Sequence, residues 1–412
     1  MPDQLAPGAP LLQWPAGLTR VPFQAYRDTA VYEAEQARLF EGPTWNFLCL
    51  EAEIPNQGDW RTTFVGRMPV VVVRDEGGKI RAFENRCAHR GALICLDDSG
   101  NAKDFTCVYH AWRYDLCGNL QSVAFARGVN GKGGMPASFR LEDHGPRKLR
   151  TTTLFGLVFG TLSDETDAVE DYIGPGVLSR ISRVANGKKL EIIGRFTEVL
   201  PNNWKLYAEN VRDTYHASLL HVFFATFRIN RLSQGGGILV SSNGGSHVST
   251  SLAPTQAVDK AYEGLRSVND SLRLSDPSLL DAVNEHGDTI QQQILTVFPT
   301  FVMQKTHNVI AVRHYLPRGL HETDLHWIYL GYADDAPELR TRRLKQLNLA
   351  GPAGFISMED GCVGGFVERG AAAATGASLL EMGGSGTASD DTRASEAPIR
   401  GFWKQWRAVM GV

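Results

Sequence analysis

Two short motifs, twenty residues apart, constrain this chain more than any other feature. NRCAHRG spaces Cys87 and His89 as Cys-x-His, and CVYHAW spaces Cys107 and His110 as Cys-x-x-His. Each motif therefore offers one thiolate and one imidazole, and both groups are good ligands for transition metals. The pattern predicts two loops that hold one metal centre between them.

The mixed order of the ligands indicates which kind of centre this is. Two histidines replace two cysteines on one iron in a Rieske [2Fe–2S] cluster. Cysteine and histidine also form zinc sites, but a zinc finger places both cysteines in one pair and both histidines in the other. Gly91 and Gly118 follow the two motifs, as tight loops require. We therefore predict an electron-carrying cluster rather than zinc or a chance match.

The composition is that of a globular protein with room for two domains. The chain has 412 residues, 43% of them hydrophobic, and a net charge of −3, so nucleic acid and membrane surfaces are not expected partners. It has neither a run of eighteen apolar residues nor a signal-peptide pattern, so we expect a cytoplasmic protein. The cysteines outside the motifs are scattered and predicted to be free thiols; they are Cys49, Cys95, Cys117 and Cys362.

The pattern of hydrophobic residues indicates a β-rich segment flanked by segments that mix helices and strands. Residues 27–40 have helical spacing, whereas residues 41–162 contain short β-rich runs separated by Gly, Asp and Asn. We predict a small antiparallel β domain over 41–162 that carries the cluster on its loops. We predict a larger catalytic domain, with a central antiparallel sheet flanked by helices, over residues 1–40 and 163–412. The expected fold class is therefore α+β.

Several elements of the larger domain can be placed individually. The predicted strands cover 191–201, 294–304, 308–317 and 324–334. The predicted helices cover 202–224, 256–287 with breaks, 338–349, 355–370 and 395–410, and Ser395 is expected to cap the last of these.

The predicted helix over 202–224 carries candidate ligands for a second metal. His216 and His221 are five residues apart, about 140° on an ideal helix. They could bind one ion only if their side chains converge or the helix is distorted, as in a π-bulge. Asp360 in FISMEDGCVGG is the best candidate for a third ligand, with Glu359 as the alternative. Two histidines and a carboxylate form the facial triad of non-haem Fe(II) oxygenases, a sensible acceptor for single electrons from a cluster.

Asp213 lies one helical turn before His216. A carboxylate there can accept an imidazole N–H and fix the orientation of the ring. The alternative is an ordinary acidic side chain on a solvated helix face.

Together these residues resemble the large (α) subunit of the Rieske non-haem iron ring-hydroxylating oxygenases. The similarity covers nearly the whole chain and includes WNFLCLEAEIPNQGDW, FENRCAHRGALI, CVYHAW, NNWKLYAENVRDTYHASLLH, GPAGFISMEDG and RGFWKQW. It implies that Cys87, His89, Cys107 and His110 bind the cluster and that His216, His221 and Asp360 bind iron. It also implies that Asp213 links a cluster histidine of one subunit to an iron histidine of its neighbour.

The resemblance further implies cofactors and partners. The cofactors would be a [2Fe–2S] Rieske cluster and a mononuclear Fe(II). The assembly would be a ring of three α subunits, joined in many relatives by three small β subunits as α3β3. A separate flavin/iron–sulfur reductase would deliver NAD(P)H electrons, because this chain lacks a dinucleotide-binding G-x-G-x-x-G motif. The expected reaction is cis-dihydroxylation of an aromatic carboxylate with O₂.

The expected substrate is terephthalate. GGMPASF, NRLSQGGG and YLGYADD are similar to members that oxidise this diacid, and Arg313 and Arg393 match positions that hold its carboxylates there. Ser246, or His247 or Ser249 near it, could add a hydrogen bond. The alternatives are a structural salt bridge for Arg313 and a solvated loop position for Arg393. The arginine pair argues for an aromatic acid more firmly than for a diacid, so a salicylate, anthranilate or other substituted benzoate is the second possibility.

Overall fold

The structure, a computed structural model, describes residues 11–254 and 259–412. The chain folds into two compact units. One comprises the described parts of Met1–Leu39 and Asp167–Val412, and the other is Phe40–Thr166. Every strand pairing among the described residues is antiparallel, and helices pack on the sheet of the larger unit. The predicted α+β class is confirmed.

The strands follow in chain order. They are β1 (Arg20–Pro22), β2 (Asn46–Leu50), β3 (Asp59–Val65), β4 (Met68–Arg74), β5 (Ile80–Glu84), β6 (Ser99–Asn101), β7 (Phe105–Thr106), β8 (Arg113–Tyr114), β9 (Leu120–Ser122), β10 (Lys148–Leu154), β11 (Leu157–Thr161), β12 (Leu190–Leu200), β13 (Gly236–Val240), β14 (His247–Leu252), β15 (Ile290–Val297), β16 (Phe301–Thr306), β17 (Val309–Pro317), β18 (Thr323–Tyr332) and β19 (Ala377–Leu379).

The α-helices are shorter and more numerous than the sequence pattern suggests. They are α1 (Gln24–Arg27), α2 (Thr29–Glu35), α3 (Val169–Ile173), α4 (Pro175–Ala185), α5 (Trp204–Asn210), α6 (Ala217–Leu220), α7 (Val222–Thr226), α8 (Pro337–Gln346), α9 (Ser357–Ala371) and α10 (Ala397–Met410). A π-helical turn, Gln36–Phe40, follows α2. None of the helices in the described ranges is long and apolar enough to cross a membrane.

The unit Phe40–Thr166 holds two sheets. A seven-stranded sheet has the order β2-β11-β10-β5-β4-β3-β6, and a three-stranded sheet has the order β7-β8-β9. The run Val70–Val73 in β4 is wholly buried, as expected for a central strand of apolar β-branched residues. Phe83, Trp112 and Tyr114 are buried in the same hydrophobic cluster as the two motif cysteines. The motif loops therefore begin in the core of this unit.

The larger unit is built on a seven-stranded sheet with the order β12-β18-β17-β16-β15-β14-β13. Because successive side chains of a strand point to opposite faces, Gln304 and Lys305 of β16 lie on different sides of this sheet. Helices α5 and α8 both contact β17. The sheet thus offers two faces on which cavities can form.

The N-terminal segment is bound tightly to the start of α5. Lys205 and Glu35 are both fully buried, and their charged groups lie 2.8 Å apart. The two carboxylate oxygens of Glu35 also accept hydrogen bonds of 2.9 Å from the indole N–H groups of Trp204 and Trp406. These contacts compensate the buried carboxylate and join α2, α5 and α10 in one core.

Two of the predicted helices are wrong. The helix over 202–224 is interrupted, and its residues form α5, α6, α7 and the turns between them. Within the predicted helix over 256–287, residues 256–258 lie outside the described residues, and the remainder contains only the 3₁₀ turns Lys260–Tyr262 and Pro277–Leu280. The last helix begins at Ala397 with Glu396 as its N-cap residue, so the cap predicted at Ser395 is one residue too early, although Ser395 Oγ accepts a hydrogen bond from the Ala397 N–H (3.2 Å).

Candidate metal centres and substrate cavity

The two motif loops share one backbone hydrogen-bond pattern. The N–H of Cys87 donates to the carbonyl of Ala92 (2.8 Å), and the N–H of Cys107 donates to the carbonyl of Trp112 (2.9 Å). In each loop a later N–H donates back to the cysteine carbonyl. The chain thus builds two equivalent turns with a cysteine at the start of each.

A left-handed residue closes each of these loops. Gly91 has φ 76° in the first loop, and Ala111 has φ 53° at the equivalent place in the second. Gly118, which the sequence associated with the second loop, lies instead in the turn between β8 and β9, where its N–H donates to the carbonyl of Asp115 (3.0 Å). The expectation for Gly118 is corrected: the second cluster loop uses an alanine.

The side chains of the two loops converge at their ends. His89 Nδ1 and His110 Nδ1 lie 3.1 Å apart. Two nitrogens bound to one metal at about 2.1 Å would be separated by roughly 3 to 3.4 Å, so this spacing suits a pair of ligands. Cys87 and Cys107 are buried, and burial together with the neighbouring Cys87 raises the pKa of the Cys107 thiol. The arrangement places thiols towards the core and imidazoles towards the surface.

A second group of ligand atoms forms in the larger unit. Among the described residues, His216, His221 and Asp360 are the one set of three His, Cys, Asp or Glu side chains whose ligand atoms all lie within 4.8 Å of one another. Asp360 Oδ1 is 3.4 Å from His216 Nε2 and 3.3 Å from His221 Nε2. The two Nε2 atoms therefore face one carboxylate oxygen.

The other ring nitrogens face two further carboxylates. His216 Nδ1 is 3.3 Å from Asp213 Oδ2, and His221 Nδ1 is 2.6 Å from Glu359 Oε2. Both contacts favour the tautomer that leaves Nε2 free to bind a metal. Glu359 thus contacts the far side of one imidazole, whereas Asp360 reaches both. This geometry favours Asp360 over Glu359 as the third ligand.

The charges in this cluster shift its titration. Although burial opposes ionisation of the ring, Asp213 and Asp360 raise the pKa of His216 to about 10. Against the same effect of burial, His221 and His216 hold the pKa of the Asp360 carboxyl far below its ordinary value. In the absence of a metal the cluster therefore favours protonated histidines beside an ionised aspartate.

The break between α5 and α6 is what brings the histidines together. Asp213 Oδ1 accepts hydrogen bonds from the backbone N–H groups of Tyr215 (2.9 Å) and His216 (3.2 Å). Such a side-chain-to-backbone turn competes with helical hydrogen bonding. The distortion that the spacing of His216 and His221 required is therefore an aspartate-stabilised turn rather than a π-bulge.

A cavity adjoins the three ligand atoms. Its apolar lining includes Phe224, Ile294 and Ile356, and its polar lining includes Asn230, Ser249, Gln304 and Arg313. The cavity is small, about 50 Å³, and its lining combines apolar surface with a few placed polar groups, as small-molecule sites do.

Arg313, on β17, is the one arginine or lysine among the described residues that line this cavity. It is buried, its Nη1 donates to the Tyr207 hydroxyl (2.9 Å), and its guanidinium lies 4.8 Å from the ring centroid of Trp327. Its Nε has no hydrogen-bond partner, and no carboxylate oxygen of the described residues lies within ion-pair distance. The structural salt bridge considered for Arg313 is absent from these residues.

Arg393 and Ser246 lie elsewhere. Arg393 is buried rather than solvated, and it donates to Asn230 Oδ1 and to the carbonyls of Arg231 and Gln234. It does not line the cavity, but Asn230 does. Ser246 is buried with an unpartnered Oγ and is also outside the lining, which contains Ser249 instead. Neither Arg393 nor Ser246, both predicted to bind the substrate, is therefore among the residues that line this cavity.

Comparison with known proteins identifies the family. The family model for the Rieske [2Fe-2S] domain matches residues 44–131, and the model for the ring hydroxylating alpha subunit (catalytic domain) matches residues 187–411. The chain is 56% identical over 405 residues to the terephthalate 1,2-dioxygenase terminal oxygenase component subunit alpha 2 of Comamonas sp, covering 97% of this chain and 98% of that protein. The chain belongs to the Rieske ring-hydroxylating oxygenase α subunits.

Two further similarities concern other members. The anthranilate 1,2-dioxygenase large subunit of Burkholderia cepacia is 44% identical, with 95% of this chain and 94% of that protein covered. Naphthalene 1,2-dioxygenase from Rhodococcus sp. bound to indole superposes with a TM-score of 0.78 at 24% identity, covering 95% of this chain and 94% of that one. The latter supports the fold alone.

Membership of the family gives this oxygenase α subunit its cofactors. They are a Rieske [2Fe–2S] cluster and a mononuclear iron, and the electrons come from a separate reductase within an oligomeric, multicomponent system. The residues fit both groups. The paired Nδ1 atoms of His89 and His110 have the spacing of two ligands on one iron, and the triad offers two imidazoles and one carboxylate.

Sequence reasoning did not find the immediate surroundings of Arg313. Trp327 lies directly opposite Arg313 in the pairing of β17 with β18, and both strands were predicted, but their register was not. Glu198 on β12 was also missed; burial and the nearby Asp360 raise its pKa to about 7, whereas Trp327 and the charge of Arg313 act in the opposite direction. Only a predicted register for β12, β18 and β17 could have brought these residues together.

Proposed function

We propose that this α subunit catalyses cis-dihydroxylation of terephthalate. The observation that carries the proposal is Arg313, a buried cation without a carboxylate partner among the described residues that lines the same cavity as His216, His221 and Asp360. A buried guanidinium is costly unless an anion neutralises it, and a ring carboxylate can do so. The high identity to a terephthalate 1,2-dioxygenase component supports this substrate.

In this proposal each residue has a defined role. Cys87, His89, Cys107 and His110 hold the cluster, and His216, His221 and Asp360 hold the iron. Asp213 and Glu359 keep the Nδ1 protons in place and so orient the rings. When bound, the cluster supplies single electrons and the iron supplies oxygen activation. Phe224, Ile294 and Ile356 exclude water from the ring face of the substrate.

Arg393 contributes to the second carboxylate through Asn230. Because Arg393 donates to Asn230 Oδ1, the Nδ2 group of Asn230 must act as a donor, and it donates to Gln292 Oε1 (2.5 Å). Asn230 thus presents a polarised amide at the cavity wall. Ser249 is the serine best placed to add a hydrogen bond, rather than Ser246.

The assembly in this proposal is a ring of three α subunits, with three small β subunits added. Asp213 then connects the histidine His216 to a cluster histidine of the neighbouring subunit. Asp213→Asn should leave both metals bound while slowing electron delivery. Fast single-turnover oxidation of the reduced cluster in that variant would contradict the bridge.

Product analysis tests the substrate. Iron-loaded protein with a surrogate reductase and NAD(P)H is offered terephthalate, benzoate, anthranilate and salicylate in parallel, and a cis-diol from terephthalate is expected. Arg313→Gln should lose this turnover, whereas Arg266→Gln, which changes an exposed arginine, should retain it. Failure of wild-type protein on terephthalate in the presence of an intact cluster and iron would refute the proposal.

A substituted benzoate is the second candidate. It is favoured by one observation, namely that Arg393 does not line the cavity, so only one arginine meets the ligand directly. The 44% identity to an anthranilate dioxygenase subunit agrees with it. Turnover of anthranilate or salicylate without turnover of terephthalate would select this alternative.

A further inference from the structure

A second cavity lies on the opposite face of the catalytic sheet. It has a volume of about 290 Å³ and is bounded by the start of β15, the end of β16, α4 and the loop that precedes β15. Lys305 lines it, whereas the preceding residue, Gln304, lines the cavity beside His216. Alternation along β16 therefore separates the two cavities by the thickness of the sheet.

The wall of this second cavity is held in place by hydrogen bonds. Asn308 Nδ2 donates to the carbonyl of Val283 (2.9 Å), and the N–H of Val283 donates back to Asn308 Oδ1 (2.9 Å). Arg183 is fixed by Asp288, with Nε to Oδ2 at 2.6 Å and Nη2 to Oδ1 at 2.7 Å. The loop and α4 are thus connected to the strands on which the cavity opens.

Several polar atoms in this lining lack partners among the described residues. They are Arg183 Nη1, His286 Nε2 and both ring nitrogens of His307. His307 is only 7% exposed, and the Arg183 side chain only 11%. Buried polar atoms are normally hydrogen-bonded, and each exception calls for a ligand, a water or a functional role. Arg183 Nη1 can only donate, and each neutral imidazole can provide one N–H.

The remaining lining favours an organic ligand over an inorganic ion. Val283, Ile290 and Ala282 supply apolar surface, and the cavity volume of about 290 Å³ is close to that of a small-molecule site. The cation Lys305 is already paired with Glu285 at 3.2 Å and donates to the His307 carbonyl (2.6 Å). Burial, and to a smaller extent the charge of Lys305, lowers the pKa of His307 to about 4, so at neutral pH its imidazole is uncharged and can donate one N–H to a ligand.

We propose that this cavity is a second binding site, for a small carboxylic acid with an apolar body, held by Arg183 and His307. The carboxylate accepts hydrogen bonds from Arg183 Nη1 and from the imidazoles, and the apolar body contacts Val283 and Ile290. This inference does not depend on the proposed substrate, because no residue of the site lines the cavity beside His216.

The probe for this site is 4-bromobenzoate, because bromine can be located by anomalous diffraction. In crystals of the holoenzyme soaked with the probe, we expect a bromine peak between Arg183 and His307. In solution, calorimetric titration of Arg313→Gln, in which the catalytic cavity has lost its cation, should retain one binding event per chain.

Variants of Arg183 and His307 test whether these two residues bind the probe. Arg183→Gln in the Arg313→Gln background should weaken this binding at least tenfold, and Arg266→Gln should leave it unchanged. His307→Phe, which removes both ring nitrogens and keeps a planar ring, serves if the Arg183 variant does not fold. Equal binding in the Arg183 or His307 variant, or bromine found only beside His216, would overturn the proposal.

Discussion

Glu359 offers the sharpest test of the metal site. Its Oε2 lies 2.6 Å from Nδ1 of His221, an imidazole that is only 2% exposed. Glu359→Gln removes the negative charge but keeps the size of the side chain. The Nδ1–H of His221 would then donate to a neutral amide, and the basicity of its Nε2 would fall.

The expected effect follows from the behaviour of similar contacts in metalloproteins. Loss of a carboxylate that orients a ligating histidine typically costs 10- to 100-fold in metal affinity, which corresponds to about 1.4 to 2.7 kcal/mol. The contact is short but the Glu359 side chain is 31% exposed, so a loss near the lower end of this range is expected. The cluster lies in the other unit and should be unaffected.

The assay is competition for Fe(II) with a chelator, followed through mononuclear iron content, while the visible absorbance of the cluster serves as an internal reference. Glu368→Gln is the matched control, since Glu368 lies on the same helix and contacts a different histidine, with Oε1 at 2.5 Å from His321 Nδ1. An Fe(II) affinity in Glu359→Gln equal to that of the control would refute the role assigned to Glu359.

Three further predictions concern ligation, the core and pH. His216→Ala should retain the absorbance of the cluster but lose mononuclear iron and turnover; metal analysis and product assays measure both. Lys205→Met leaves Glu35 without its cation and should lower the free energy of unfolding by about 3 to 5 kcal/mol, measured against Lys404→Met as an exposed control. Burial and Lys305 lower the pKa of His307 to about 4, so the unfolded chain, with its ordinary pKa near 6.5, binds the proton first. Wild type should therefore lose stability relative to His307→Asn as the pH falls from 6.5 to 4, and parallel melting curves over that range would contradict this.

The sequence pattern predicted where helices and strands lie more reliably than where a helix is interrupted. Apolar spacing predicted one helix over 202–224, but the spacing does not register the hydrogen bonds that Asp213 accepts from Tyr215 and His216. The same explanation applies to the predicted helix over 256–287. There Asn269, Asp276 and Asn284 accept hydrogen bonds from backbone N–H groups two residues later, which favours turns over helix.

For the site, the sequence predicted residue types better than their surroundings. The spacing of the cysteines and histidines identified the candidate cluster ligands. His216 and His221 were a weaker signal that gained weight from the cluster motif, and the structure brings them together with Asp360. The burial of Arg393 could not be predicted, because a loop of Gly, Ser and Asp looks solvated until its tertiary contacts with Asn230 are known. Opposing pairs such as Arg313 and Trp327 depend on strand register, which local patterns do not specify.

The buried pair of Lys205 and Glu35 has a consequence for dissecting the gene. Because residues before Phe40 and after Thr166 belong to one unit, the segment between them is an insertion within a discontinuous catalytic unit. In a fragment starting at Asp167, the ammonium of Lys205 would lie in the apolar core without its counter-ion Glu35. The indole N–H groups of Trp204 and Trp406 would also lose their acceptor. Production of the catalytic unit without residues 40–166 would therefore have to include the leading segment as well as the residues from Asp167 onward.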